Sequence, residues 1–176
     1  MSLVFLLGGA RSGKSSLALE LAQRWEGPVT FLATGEPGDE EMTERVRLHR
    51  AERPSAWTTV EEPLEVSGAI AQVEDATAIV IECISLWVAN MLARGDTDTE
   101  VEDQARATAA LARDRPSLTI AVSNEVGLGV VPATPLGRRY RDVLGRVNAV
   151  WAAAADQVAL VVAGRALRLD TAATFP

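Results

Sequence analysis

One lysine, one histidine and one cysteine bound the chemistry open to this chain of 176 residues. Of 17 basic residues only Lys14 is lysine, and His49, Cys83 and Tyr140 are each alone of their type. A zinc centre of clustered Cys and His has too few ligands here, and an internal disulfide lacks its second cysteine. A Ser-His-Asp triad or a lysine Schiff base would have to recruit His49 or Lys14. Lys14 sits in Gly8-Gly9-Ala10-Arg11-Ser12-Gly13-Lys14-Ser15, which fits the Walker A pattern G-x-x-x-x-G-K-[ST]. In such a loop the glycines let successive backbone N–H groups surround phosphates, and the helix that follows adds its positive end. Lys14 would reach the β- and γ-phosphates, and the Ser15 hydroxyl would ligate Mg²⁺. The bland alternative is a Gly-rich turn that merely starts a helix. By chance the pattern arises in roughly 1% of chains this long, and the strand before it and helix after it lower that further. A lone lysine in an otherwise all-arginine chain also marks a place where a planar fork does not fit. The motif predicts nucleoside triphosphate binding.

Two more residues carry candidate chemistry. Glu82 ends the apolar run Ala78-Ile79-Val80-Ile81, the position of a carboxylate that holds the Mg²⁺ shell or polarises an attacking hydroxyl. Its structural alternative is a cap for the helix that follows. Cys83 beside it reads as a small buried hydrophobe. His49 lies within Arg45-Val46-Arg47-Leu48-His49-Arg50-Ala51-Glu52-Arg53, so on a helix Arg45 and Arg53 share its face. Flanking cations favour the neutral imidazole and attract phosphate, which suits nucleophilic attack on phosphorus. Charge-rich helices are also ordinary solvated faces. Residue chemistry alone leaves both readings of His49 open.

These residues need elements to position them. Short apolar runs at 3–7, 28–34, 78–82, 118–123 and 158–163 read as buried strands, with shorter strands at 57–60 and 166–169. Helical stretches are expected at 14–25, 39–53, 63–73, 84–94, 99–113 and 137–155. Continuous apolar strands alternating with helices predict an α/β chain whose mainly parallel sheet is covered on both faces. No repeat or linker divides it, so residues 1–176 read as one P-loop nucleotide-binding catalytic domain. A net charge of −7 argues against general nucleic-acid binding, so an anionic ligand must be held by local groups. No apolar run reaches the ~18 residues of a membrane span, and the start lacks a basic leader region, so a cytoplasmic location is expected.

In order, these residues resemble those of the bifunctional adenosylcobinamide kinase / adenosylcobinamide-phosphate guanylyltransferases of cobalamin synthesis. The resemblance runs over nearly the whole chain. It includes GGARSGKS, Ala33-Thr34, the acidic start Asp39 to Met42, and the histidine segment Arg45 to Pro54. Trp57-Thr58-Thr59-Val60-Glu61, Glu82-Cys83 with Leu86-Trp87 and Asn90, VSNEVGLGVVP at 122–132, and Arg139 to Asn148 continue it. The chain departs from the family pattern at Gly35-Glu36-Pro37-Gly38. The resemblance implies a three-layer P-loop NTPase fold of the RecA-like type. It implies that His49 takes GMP from GTP and that GTP is bound by Gly8 to Ser15 and by Ala33, Thr34 and Gly35. Arg50, Ala51, Glu52, Arg53, Glu61 and Glu82 match further nucleotide-contacting positions. ATP or GTP and Mg²⁺ are the implied cofactors, adenosylcobinamide and its phosphate the substrates, and a homo-oligomer the implied assembly. An ordinary P-loop kinase of another small metabolite and a non-catalytic NTP-binding switch are the rival readings.

Overall fold

The strands assemble into one seven-stranded sheet in the order β3-β2-β4-β5-β1-β6-β7. They are β1 (Leu3–Gly8), β2 (Val29–Ala33), β3 (Thr58–Glu61), β4 (Ala78–Glu82), β5 (Thr119–Asn124), β6 (Gln157–Val162) and β7 (Arg165–Leu169). The computed structural model describes residues 3–35 and 53–171. The helix expected at 39–53 lies outside these residues for all but its last position. The other expected helices are present as α1 (Lys14–Ala22), α2 (Val66–Ala71), α3 (Ile84–Arg94), α4 (Asp98–Asp114) and α5 (Pro135–Ala154).

Every strand pairing is parallel except β6 with β7. Parallel strands need crossovers, and each crossover helix buries a strand face. Side-chain alternation along the strands makes two cores. Leu3, Phe5, Leu7, Ile79 and Ile81 face α2 through α5, where Trp87 and Trp151 are fully enclosed. Leu6, Val29, Phe31, Val80, Ile120 and Val122 face α1 through Ala18, Leu19 and Ala22. Trp151 stacks on Phe5 with ring centroids 6.2 Å apart, so both large tryptophans are packing residues rather than surface contacts.

Helix ends follow local chemistry. α4 opens on a capping box, in which Thr97 and Glu100 satisfy each other's backbone N–H groups. Pro135 sits in the first turn of α5 and Thr134 caps it, so the helix begins two residues before the expected Gly137. α4 stops at Arg115, which precedes Pro116 and is extended. The buried Arg115 guanidinium donates to the carbonyls of Ile70, Val73, Glu74 and Thr77, closing the C-terminal end of α2. Burial lowers its pKa, yet these carbonyls replace the water it loses.

Candidate active site

The parallel strands β1, β2, β4 and β5 all end at one edge of the sheet, and the candidate residues emerge there. Gly8 ends β1, and the loop to Gly13 turns directly into α1. Two loop residues hold left-handed backbone, Arg11 at φ 56° and Gly13 at φ 98°. A Cβ on Gly8 would lie 2.3 Å from the Val161 carbonyl oxygen and 2.7 Å from Ser12 Oγ, so only glycine fits. Gly13 is the N-cap of α1 and offers no side chain to its first N–H groups, and no acid stands in the first turn. With no side-chain cap and no acid there, the helix dipole favours an anion at this end. Lys14 folds back over the loop, its Nζ donating to the Gly9 carbonyl at 2.8 Å. The ammonium is held where loop-bound phosphates would sit.

The end of β4 supplies the opposing charge. Ser15 Oγ donates to Glu82 Oε1 at 2.7 Å across a sequence separation of 67 residues. A hydroxyl and a carboxylate in contact, both hard oxygen donors, fit Mg²⁺, which usually takes one or two protein oxygens and completes its shell with water and phosphate. Among the described residues no cluster of three or more His, Cys, Asp or Glu offers a metal cage without a nucleotide. Replacing Glu82 with Gln is expected to lower any Mg²⁺-dependent phosphoryl-transfer rate about 10²-fold with little change in melting temperature, since the amide keeps the shape but not the charge. Steady-state kcat across a Mg²⁺ titration checks this, and a rate within about twofold of the unmodified enzyme would remove Glu82 from the chemistry.

Thr34 fastens the end of β2 to this corner. Its N–H donates to the Glu82 carbonyl at 3.0 Å, and its hydroxyl donates to the Cys83 carbonyl and accepts from the Cys83 N–H. Thr34 is completely buried, and its own carbonyl accepts from Asn90 Nδ2 at 2.8 Å. Thr34 therefore holds Glu82 rather than presenting its hydroxyl outward. Ala33 pairs with Glu82 on one side and Glu61 on the other, which puts the three in one row. A Cβ on Gly35 would meet Leu86 at 3.2 Å, so this backbone runs close to α3. Burial, followed by the neighbouring Glu82 charge, raises the Cys83 thiol pKa. It stays protonated and unsuited to nucleophilic attack.

The candidate residues do not all converge. β3 stands four strand spacings from β1, about 19 Å, but only two from β4, so Glu61 lies about 10 Å along the row from Glu82 and its contact with Ser15. Arg53 is on the same side: its guanidinium lies 3.5 Å from the centre of the Phe31 ring, and Nη1 donates to Thr59 Oγ1 at 3.4 Å. His49, Arg50, Ala51 and Glu52 lie outside the described residues. The described site thus has a phosphate end at Lys14, Ser15 and Glu82, and a second group at Arg53 and Glu61.

Two features of the site rest on contacts whose partners the sequence does not name. Asn124 donates to Ser85 Oγ at 2.9 Å, its carbonyl accepts from Asn148 Nδ2, and Ser123 Oγ donates to Asn148 Oδ1 at 2.7 Å. The Tyr140 hydroxyl donates to the Ser85 carbonyl, and burial pushes its pKa up to about 12. This network locks the end of β5 to α3 and α5. The other feature is the β6–β7 turn, where Ala163 (φ 50°) and Gly164 (φ 73°) are both left-handed. The Gly164 N–H donates to the Ser12 carbonyl at 2.8 Å, so the hairpin turn forms a wall of the phosphate loop. A side chain at 164 would meet nothing within 4 Å, which leaves backbone conformation as the only constraint. Gly164→Val is expected to raise the nucleotide Kd about tenfold, whereas Gly164→Asn, which tolerates left-handed backbone, stays near the unmodified value. Titration with a fluorescent nucleotide distinguishes them. Equal affinities would make the turn a simple hairpin closure.

Comparison with known families settles the relationship. The family model described as cobinamide kinase / cobinamide phosphate guanyltransferase matches residues 4–169. The chain belongs to this family. It is 39% identical over 160 residues to the bifunctional adenosylcobalamin biosynthesis protein CobP of Pseudomonas aeruginosa, covering 90% of this chain and 92% of that one. It is 36% identical over 181 residues to the bifunctional protein CobU of Salmonella typhimurium, covering 95% and 99%. Among solved structures, the KaiC-like protein PH0186 of Pyrococcus horikoshii superposes with a TM-score of 0.53 at 13% identity, covering 90% of this chain and 70% of that chain. The type III secretion ATPase EscN of enteropathogenic E. coli superposes with 0.61 at 14%, covering 92% and 43%. At such identities the likeness speaks to fold alone, and with the sheet order it assigns the RecA-like P-loop class expected from the sequence. Membership of this family, on that fold, makes the chain a nucleotide-binding transferase of cobalamin biosynthesis. Among the described residues no helix is long and apolar enough to cross a membrane.

Proposed function

We propose that this enzyme phosphorylates adenosylcobinamide with ATP or GTP and then transfers GMP from GTP to the product through a guanylyl-histidine. The observation that carries the kinase half is the Ser15–Glu82 contact beside Lys14, at the N-terminal end of a helix that no side chain caps. In the first reaction the acceptor hydroxyl attacks the γ-phosphorus. The bond from that phosphorus to the β–γ bridging oxygen breaks, a nucleoside diphosphate leaves, and the hydroxyl proton passes toward Glu82 or to water. Lys14 and the loop N–H groups stabilise charge on the transferring group and the leaving diphosphate. When bound at Ser15 and Glu82, Mg²⁺ supplies further neutralisation of the phosphate charge.

In the second reaction an imidazole nitrogen of His49 attacks the α-phosphorus of GTP, a P–N bond forms and pyrophosphate leaves. A phosphate oxygen of adenosylcobinamide phosphate then attacks the same phosphorus, the P–N bond breaks, and adenosylcobinamide-GDP results. The covalent route divides one difficult displacement into two easier ones. Arg50, Ala51, Glu52, Arg53 and Glu61 belong in this reading to the guanylyl end of the site, and Gly8 to Ser15 with Ala33 to Gly35 and Glu82 to the triphosphate end. The family likeness supports the two roles, and the row from Glu82 through Ala33 to Glu61, with Arg53 beyond it at Thr59, leads from one group to the other.

The test uses GTP labelled at the α-phosphate, with Mg²⁺ and without acceptor. The expected result is a protein-bound label that is lost in acid and kept in alkali, as a P–N bond requires. A protein that phosphorylates adenosylcobinamide yet never takes up this label would be a kinase alone.

A further inference from the structure

The segment that follows β5 has the composition of a binding surface and stands next to the phosphate end of the site. In the sheet β5 lies between β1 and β4, with Asn124 level with Gly8 and Val122 level with Glu82. Whatever leaves β5 at that edge emerges between the phosphate loop and Glu82. The first residue out, Glu125, is tied there by its N–H to the Gly8 carbonyl at 3.0 Å. From Val126 to Gly137 the sequence VGLGVVPATPLG carries no charge, in a chain with 41 charged residues among 176 (17 basic and 24 acidic). Val126 packs against the core, but the next four large apolar side chains face outward: Leu128 is 82% exposed, Val130 95%, Val131 61% and Leu136 65%. Four large aliphatic side chains so exposed within nine residues form a patch of the kind that marks an interaction site.

The segment is also held in shape. Gly127 N–H donates to Glu125 Oε1 at 2.6 Å, and Arg138 Nη1 donates to the carbonyls of Pro132 and Ala133 at 3.1 and 2.8 Å. Gly137 N–H donates to Thr134 Oγ1 at 3.1 Å. Both legs are anchored, so the apolar tip is presented from a fixed base at little ordering cost on binding.

We infer that Leu128, Val130 and Val131 dock the acceptor of the phosphoryl transfer, seating the methyl-bearing rim of its macrocycle beside the γ-phosphate. This inference rests on the proposed function, which names that acceptor. Its chemistry matches. A cobinamide is a broad ring whose rim carries methyl groups between uncharged amide arms, and an aliphatic surface takes the methyl groups while the amides keep their water. Continuity decides the occupant, because an acceptor hydroxyl in line with the γ-phosphate keeps the attached ring within reach of the loop that borders it.

The test compares the unmodified enzyme with Leu128→Asp and Val130→Asp, and with the milder Val130→Thr, which is nearly isosteric and keeps the proposal testable if an aspartate variant fails to fold. The KM for adenosylcobinamide is expected to rise about tenfold in each aspartate variant and about threefold in the threonine variant. The GTP Kd and the acceptor-free labelling by α-labelled GTP are expected to stay at the unmodified level. Sedimentation velocity of each variant identifies a second copy of the chain as the occupant. An unchanged acceptor KM, or a KM that rises only together with a changed sedimentation coefficient, overturns the inference. Failure of the proposed function is distinguishable: the unmodified enzyme would then neither phosphorylate adenosylcobinamide nor take up label.

Discussion

Replacing Lys14 with alanine is expected to lower phosphorylation of adenosylcobinamide by about 10³-fold or more, equivalent to about 4 kcal/mol of transition-state stabilisation. The ammonium is already in place, bonded to the Gly9 carbonyl and enclosed by the loop. A positioned charge in a site shielded from water acts more strongly than one in solvent, and no reorganisation is needed when negative charge develops on the phosphate. No other lysine exists in the chain to replace it. Lys14→Arg is expected to restore little. The Lys14 Nζ sits as a point donor 2.8 Å from the Gly9 carbonyl, a position that a longer side chain ending in a planar fork does not reproduce. Single-turnover phosphorylation with labelled γ-phosphate measures both variants. Survival of turnover in Lys14→Ala would refute the assignment of the loop.

His49→Ala is expected to abolish protein labelling by α-labelled GTP while leaving phosphorylation of adenosylcobinamide within about threefold. The expectation is sharp because the chain is short of substitutes. His49 is its only imidazole, and Cys83 is buried with its thiol pKa raised, hence protonated. Lys14 is committed to the phosphate loop. Label persisting in His49→Ala would have to sit on another side chain and would end the guanylyl-histidine mechanism. Loss of both activities would make His49 a general requirement of the nucleotide site. With Lys14→Ala the pair separates the two halves of the reaction.

Local signals carried much of this architecture. Gly8 to Ser15 is readable because strand, turn and helix are contiguous and each imposes its own residue types. Glu82 is readable because an acid at the end of a run like AIVIE has few structural purposes. Its contact with Ser15 is a tertiary fact, yet the parallel α/β pattern already places both at one sheet edge. The start of α5 was open to correction from the sequence, since Thr134-Pro135 is a cap followed by a first-turn proline. The Asn124–Asn148–Ser123 network was not, because it joins residues 24 and 25 positions apart whose types suit exposed loops equally well. The hairpin turn was half visible. Two apolar runs flanking Ala163-Gly164 predict a reversal, but nothing in that dipeptide reveals that its N–H reaches Ser12.

That reach has a consequence for the order in which the molecule becomes competent. The phosphate loop precedes in the chain the residues that complete it: β1 is flanked on one side by β6, and the loop is buttressed by Gly164. A ribosome-bound chain that has emerged only as far as α5 would carry the whole nucleotide motif without its final wall. Nucleotide capture is therefore expected to be weak until residues 157–169 have joined the sheet.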